Sequence, residues 1–284
     1  MNKKINSIKK VFKEEIKNFK INETGEDNLV IEINNEWIFR FPRDKNSGVF
    51  YFEKKFLPLF SKKSPVPIPD LKYITDDFIG YKKIKGSLLN KNLFQSLNSK
   101  EKNEIAKKFG HFLSALHSFP IVKAKKLGIS VSWNNWRKKA YNRFKKKVAP
   151  KLSKQVCDNA LNFLDDFFKM KYKPVVAHGD FYPADHIYYD KKLRNINGII
   201  DFSDMTIEDA AMDFTSIYED FGEIFFQNVF KHYGRKVEKD FFDRIKIRIK
   251  AFPLFDAPYA IEYNQPDKLK QRINQIEKEF KKLP

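Results

Sequence analysis

YKPVVAHGDFYPADHIYYDKKLRNINGIIDFSDMTIEDAAMDF, residues 172–214, is the stretch whose reading decides the fold. Two short apolar runs rich in β-branched residues, Val175-Val176-Ala177 and Ile199-Ile200, read as buried strands. The first leads into His178-Gly179-Asp180 and the second into Asp201-Phe202-Ser203-Asp204, so each strand end delivers a carboxylate. Asp190-Lys191-Lys192-Leu193-Arg194-Asn195 forms a polar turn between them. The unit therefore reads as a strand, a loop and a hairpin that bring two acids to one cleft. Phosphoryl transfer needs such a pair, one acid to orient a hydroxyl and one to hold Mg²⁺. Taken singly, an aspartate after a strand is more simply a turn former or helix cap; the pairing carries the argument.

Upstream of this stretch the pattern changes. Ile5, Ile8, Val11, Phe12, Ile16 and Phe19 recur at helical spacing, which predicts an amphipathic helix over residues 4–19. A polar turn around Gly25 follows, where backbone amides could approach phosphates, although one glycine alone is a weak signal. Leu29–Ile33 and Glu36–Arg43 read as a hairpin closed by Asn34-Asn35. Arg40, between Phe39 and Phe41, points to the face opposite theirs, either as an edge charge or as an inward phosphate clamp. Residues 49–60 read as a helix carrying Glu53, which either pairs with Arg40 or lies on the surface. Past the rigid Pro65-Val66-Pro67-Ile68-Pro69 connector, residues 71–74 and 78–84 read as two more strands, and Gly86-Ser87 as a hinge.

From about residue 91 the chain reads as helical, with helices over 99–119, 133–148, 156–170, 207–229, 238–252 and 267–280. His111 and His117 fall on the first of these with no acid or cysteine in sequence to pair them, so core or surface roles are expected rather than metal ligation. The expected architecture is α+β and bilobal, with a small β-rich N-terminal lobe over 1–86 and a larger, mainly α-helical C-terminal lobe over 87–284.

Composition bounds the rest. A chain of 284 residues, 42% hydrophobic and 32% charged, has ordinary globular proportions. No apolar run of about 18 residues exists, and the N-terminus lacks the apolar core of a secretory signal. A single cysteine, Cys157, excludes an internal disulfide and a multi-cysteine zinc site. A cytoplasmic protein is expected. The net charge of +19 could indicate nucleic acid or an anionic membrane. Its lysines are scattered among glutamates on helix faces, however, and no nucleic-acid module is present, so solvated surface is the expected reading.

His178-Gly179-Asp180 with Ile199-Ile200-Asp201-Phe202-Ser203-Asp204 resembles the aminoglycoside/choline-kinase-like phosphotransferase family, relatives of the protein kinases. Residues 37–43, 79–86, 112–120 and 209–214 are similar to aminoglycoside 2''-phosphotransferases. The resemblance implies a protein-kinase-like fold, with Asp180 as catalytic base and Asp201 as the main Mg²⁺ ligand. It implies Arg40 in the slot of the nucleotide-binding lysine, Glu53 as its partner, and Ile79, Gly80, Tyr81, Lys82 and Lys83 as a hinge that meets the purine of ATP or GTP. His178 would be structural.

Two departures stand out. Arginine at position 40 keeps the charge but differs from lysine in reach and geometry. The family places its second metal ligand five residues after the base, which gives Asp185; matching backwards from Tyr189-Asp190 gives His186. Both stay candidates. For a cationic aminoglycoside, Glu219, Asp220, Glu223, Asp256 and Glu262, with Tyr259, are the expected pocket residues beside Asp180. A monomer without nucleic-acid or membrane partners is expected, conferring aminoglycoside resistance; a kinase of a macrolide, amino alcohol or other metabolite is the alternative.

Overall fold

The computed structural model describes residues 2–23, 28–43, 49–130 and 133–281, the side chains of 2, 49–50 and 133–137 excepted. The turn around Gly25 lies outside the described residues.

The upper lobe is an antiparallel sheet of order β1-β2-β3-β5-β4, formed by β1 (Phe19–Asn22), β2 (Asn28–Ile33), β3 (Trp37–Pro42), β4 (Leu71–Ile74) and β5 (Ile79–Lys82). Asn34 and Asn35 both have positive φ, 54° and 55°, as the tight turn of a twisted hairpin demands. One sheet face carries Ile31, Ile33, Trp37, Phe39 and Phe41 onto α1 (Asn2–Lys9) and Phe12. The helix expected over residues 4–19 ends at Lys9. The Asn34 side chain explains why. Its Oδ1 accepts the Lys17 amide at 2.9 Å, and its Nδ2 donates to the Glu15 carbonyl at 2.7 Å. The following residues are thereby drawn into β1, and tertiary pairing overrides the helical period.

Helix α2 (Val49–Phe60) belongs to the upper lobe by sequence but packs into the lower one. Phe56 meets Phe119 with ring centroids 5.0 Å apart, and Phe60 meets Phe112 at 5.8 Å. Glu53 therefore rides on a helix anchored below the cleft.

After the connector, β6 (Ser87–Leu88) pairs with β8 (Ile187–Asp190), which pairs with β9 (Asn195–Ile199). Helices α3 (Lys91–Ser96), α4 (Ser99–His117), α5 (Ile121–Lys126), α6 (Trp133–Lys147) and α7 (Lys154–Phe167) come between β6 and β7 (Pro174–Ala177). Asn98 and Glu101 form a capping box that starts α4. The short α8 (Pro183–His186) precedes β8, and β10 (Thr206–Asp209) pairs with β7 in the register Ile207↔Val176. The helix expected from residue 207 therefore begins later, as α9 (Met212–Lys231), because Ile207 is drawn into that pairing. Gly222 breaks α9 with φ 81°. The next helix, α10 (Phe241–Glu262), runs ten residues past its expected end, through Pro253 and Pro258. Internal prolines cost a helix dearly; burial of Leu254 and Ala257 against Phe144, Leu164 and Phe280 offsets that cost. Helix α11 (Pro266–Phe280) closes this second core. Among the described residues, no helix is long and apolar enough to cross a membrane.

Candidate active site

Strand β7 is buried through Val175, Val176 and Ala177 and releases the chain at His178. Gly179 has φ 87°, and a Cβ there would fall 2.1 Å from the Asp204 carbonyl oxygen, so only glycine fits. The loop is then fixed by Asp213, in the first turn of α9. Its carboxylate accepts the His178 amide at 2.7 Å and the Gly179 amide at 2.9 Å. His117 Nε2 lies 2.9 Å from the same carboxylate, and His117 Nδ1 lies 2.7 Å from the Tyr233 hydroxyl. His117, expected to have no acidic partner, is thus the middle member of a fully buried network. Ser216 donates to the Phe181 carbonyl from the next turn of α9. The His178 ring is wholly buried with both nitrogens unpartnered and packs on Phe202 at 4.8 Å; burial pushes its pKa down, which keeps it neutral.

Held this way, Asp180 presents a side chain 37% exposed to the cleft. One of its oxygens meets His186 Nε2 at 2.8 Å. Burial alone would lower the His186 pKa, but the hydrogen bond and charge of Asp180 reverse that and raise it. Asp185 is exposed on α8.

Opposite, Asp201 follows β9 in the left-handed region, φ 63°. Its Oδ1 accepts from Ser203 Oγ at 2.5 Å and from Arg40 Nη2 at 3.0 Å. Arg40 Nη1 donates to Glu53 Oε1 at 2.6 Å. Arg40 is therefore inward-pointing and paired with Glu53, which resolves both alternatives left open by the sequence. Burial pushes the Asp201 carboxyl up, but Arg40 and Ser203 outweigh it and hold it at about 2. It is ionised at neutral pH, and the bonds from Arg40 and Ser203 both fall on Oδ1.

Mg²⁺ suits this donor set, since it takes one or two carboxylates and completes its shell with water and phosphate oxygens. A ready cage is not what the protein offers: among the described residues no group of three or more His, Cys, Asp or Glu side chains could hold a metal. His186 is turned to Asp180.

A cavity of about 520 Å³ opens beside Asp201. Val30 and Ile38 lie on its sheet side, and Tyr188 and Ile200 on its lower side. Arg40 and Asp201 mark one end, and Glu32 and Lys83 also line it. Of the expected hinge residues, Tyr81 and Lys83 line the cavity. Ile79, Gly80 and Tyr81 lie in β5 between β3 and β4, with Lys82 paired to Trp37, so their backbone groups serve the sheet. The segment that actually joins the lobes is Lys83 to Gly86, and Ile84 from it lines the cavity.

The expected pocket acids divide. Burial raises the Tyr182 hydroxyl pKa, and the charges of Glu219, Asp180, Asp220 and Asp256 raise it further, which places these four acids around one phenol. Asp220 is paired with Lys91 at 3.3 Å, and Asp256 with Arg272 at 2.7 Å and Lys268 at 2.9 Å. The other three expected residues have surroundings of their own. Beyond the Gly222 break, Glu223 lines a groove with Phe226, Phe242 and Lys246. Glu262 is bound to Lys147 at 2.6 Å, and Tyr259 faces Arg143 with the guanidinium 4.9 Å from its ring; both are turned to α6. Sequence reasoning missed the support provided by His117, Tyr233, Ser203 and Ser216. Asp213 and Ser203 stood inside the quoted motif, whereas the other three carried no local signal.

Solved structures share this fold. The GDP and kanamycin complex of APH(2")-IIia superposes with a TM-score of 0.85 at 24% identity, covering 98% of each chain. The gentamicin-APH(2")-IIa complex gives a TM-score of 0.75 at 20% identity, over 97% of this chain and 95% of that one. The macrolide 2'-phosphotransferase MphH from Brachybacterium faecium gives 0.71 at 16% identity, over 97% of both. Residues 18–248 match the phosphotransferase enzyme family, and with a fold and a cleft of this kind the chain belongs to that family.

Proposed function

We propose that this phosphotransferase moves the γ-phosphate of ATP or GTP to a hydroxyl of an aminoglycoside, at the 2'' position, and so confers resistance to it. One observation carries the reading. The charges of Asp180 and Asp201 both act on His186, and those of Asp180, Glu219, Asp220 and Asp256 all act on Tyr182, so Asp180 links the Arg40–Asp201 pair to an acidic face. That face suits a polycation, which would displace Lys91, Lys268 and Arg272 from their carboxylates. The similar structures were solved with GDP and kanamycin and with gentamicin, which agrees with both halves of the site.

In the proposed reaction, Asp180 accepts the hydrogen bond of the acceptor hydroxyl and takes its proton as the oxygen attacks the γ-phosphorus. The bond from that phosphorus to the β-phosphate oxygen breaks, releasing the nucleoside diphosphate. Arg40, fixed by Glu53, binds phosphate oxygens, and Asp201 would hold Mg²⁺, with His186 or Asp185 as candidate second ligand. Held there, Mg²⁺ would supply positive charge to neutralise the phosphates. His186 meets Asp180 Oδ2 alone, so Oδ1 is the oxygen that would take the hydroxyl proton.

Initial rates with ATP and with GTP, each against kanamycin, gentamicin, streptomycin and a macrolide, test the proposal, with NMR of the product for the position phosphorylated. Nucleotide turnover dependent on an aminoglycoside is expected. Turnover with the macrolide alone, or none at all, would sink the aminoglycoside reading.

A further inference from the structure

Lys83 is held twice. Its amide donates to the Glu36 carbonyl at 2.7 Å, and its Nζ lies 2.8 and 2.9 Å from the two carboxylate oxygens of Glu32. Glu32 stands on β2 two residues beyond Val30, which pairs with Arg40. It therefore lies on the same sheet face, about 7 Å further from the phosphate end. Both side chains line the cavity and are partly sheltered, 18% exposed for Glu32 and 38% for Lys83.

The same connector is fixed to the lower lobe just beyond. The Lys85 carbonyl accepts the Asn197 side-chain amide at 2.6 Å. Gly86, with φ 125°, lies so close to the Tyr189 carbonyl oxygen that a Cβ would come within 2.6 Å. Ile84 sits on Gly198, where an added Cβ would meet its side chain at 2.6 Å. Ile84 is thus seated against the lower lobe, with the Lys83 anchor to the sheet beside it. Of these attachments, only the Glu32–Lys83 pair is made by two charged side chains that themselves line the cavity.

We propose that the Glu32–Lys83 ion pair is a clasp that holds the connector against the sheet at the base end of the cavity, making both of them positioning residues for the nucleotide. This rests on the reading that the cavity takes a nucleotide. The clasp acts by fixing the backbone around Ile84, against which a flat purine would lie between Ile38 and Tyr188. It touches neither Asp180 nor Asp201, so its effect falls on nucleotide affinity far more than on the transfer step.

Binding of GDP to the full chain, measured by isothermal titration calorimetry, is the test, with nucleotide KM and kcat as a second readout. Lys83→Met and Glu32→Gln should each weaken GDP binding by about three- to tenfold, the effect of losing a partly sheltered ion pair. Nucleotide KM should rise by a similar factor, several times more than kcat falls. The reversed pair, Glu32→Lys with Lys83→Glu, should restore affinity to within about twofold, because a clasp needs opposite charges and not a particular order. Unchanged affinity in both single variants would overturn the proposal. So would a loss that the reversed pair fails to restore, since one side chain would then be contacting the nucleotide itself. A wild-type chain that binds no GDP would overturn the nucleotide reading of the cavity along with it.

Discussion

Two buried arginine–carboxylate networks stabilise this molecule, and they differ in one respect. In the lower lobe, Arg244 and Arg248 from α10 bind Asp209 at 2.9 and 3.2 Å, and Arg248 also binds Glu208 at 2.8 Å. All four side chains are at most 7% exposed. Across the cleft, Arg40 binds Glu53 and Asp201, and Arg40 and Glu53 are as deeply buried, but the Asp201 side chain is 35% exposed. The first network ties α10 to the turn before α9 and runs on from Arg244 to Glu238 and Asp240, whose side chains are 31% and 56% exposed. The second ends in a carboxylate whose other oxygen faces a cavity. Burying charge is costly in both places. Both networks reach an exposed carboxylate, but Asp201 lines the cavity of about 520 Å³ and Glu238 and Asp240 do not, so it is the cavity, and not the burial, that separates a site from a scaffold.

The contrast breaks first at Asp201. Asp201→Ala should reduce transfer at least about a hundredfold, while the melting temperature moves by only a few degrees because Arg40 keeps Glu53. A variant that unfolds and retains activity in its folded fraction would erase the distinction. Arg244→Ala should do the reverse: stability falls by about 3–5 kcal/mol in a urea titration, since Asp209 is left buried with a weakened partner set, while the folded fraction keeps its rate. Arg40→Lys sharpens the comparison. One ammonium cannot reproduce a guanidinium that reaches Glu53 and Asp201 through separate nitrogens, so nucleotide KM should rise about tenfold, or ~1.4 kcal/mol. Least affected should be Glu262→Gln. Its carboxylate is tied to Lys147 away from Asp180, so acceptor KM should change less than about twofold and stability by under ~0.5 kcal/mol.

How much of this was legible in the sequence depends on the range of the forces involved. Strand-end acids and the Asn34-Asn35 turn are set by neighbours a few residues away, and they were read from the chain. Arg40 pointing inward followed from strand alternation, but its partners lie 13 and 161 residues away. His117 looked isolated because Asp213 and Tyr233 approach it only after α4 and α9 pack together. The pocket acids were read as one group because each is an acid on a helix, whereas the break at Gly222 between Glu219 and Glu223 is set by backbone geometry that no helical pattern shows. The expected hinge ran together the last residues of β5, Ile79–Lys82, and the start of the connector at Lys83, since a paired strand and an open connector are both apolar-to-basic stretches until the sheet forms. The first helix failed for the same reason, as β1 pairing outweighs local period.

The central claim is that Asp180 handles the acceptor proton while the Arg40–Asp201 end holds the nucleotide. Its most direct test is one protein measured twice: Asp180→Ala assayed for GDP binding by calorimetry and for kanamycin-dependent nucleotide turnover. The account predicts binding within about threefold of wild type and turnover lowered by about 10²–10⁴-fold. Turnover near the wild-type rate would contradict it.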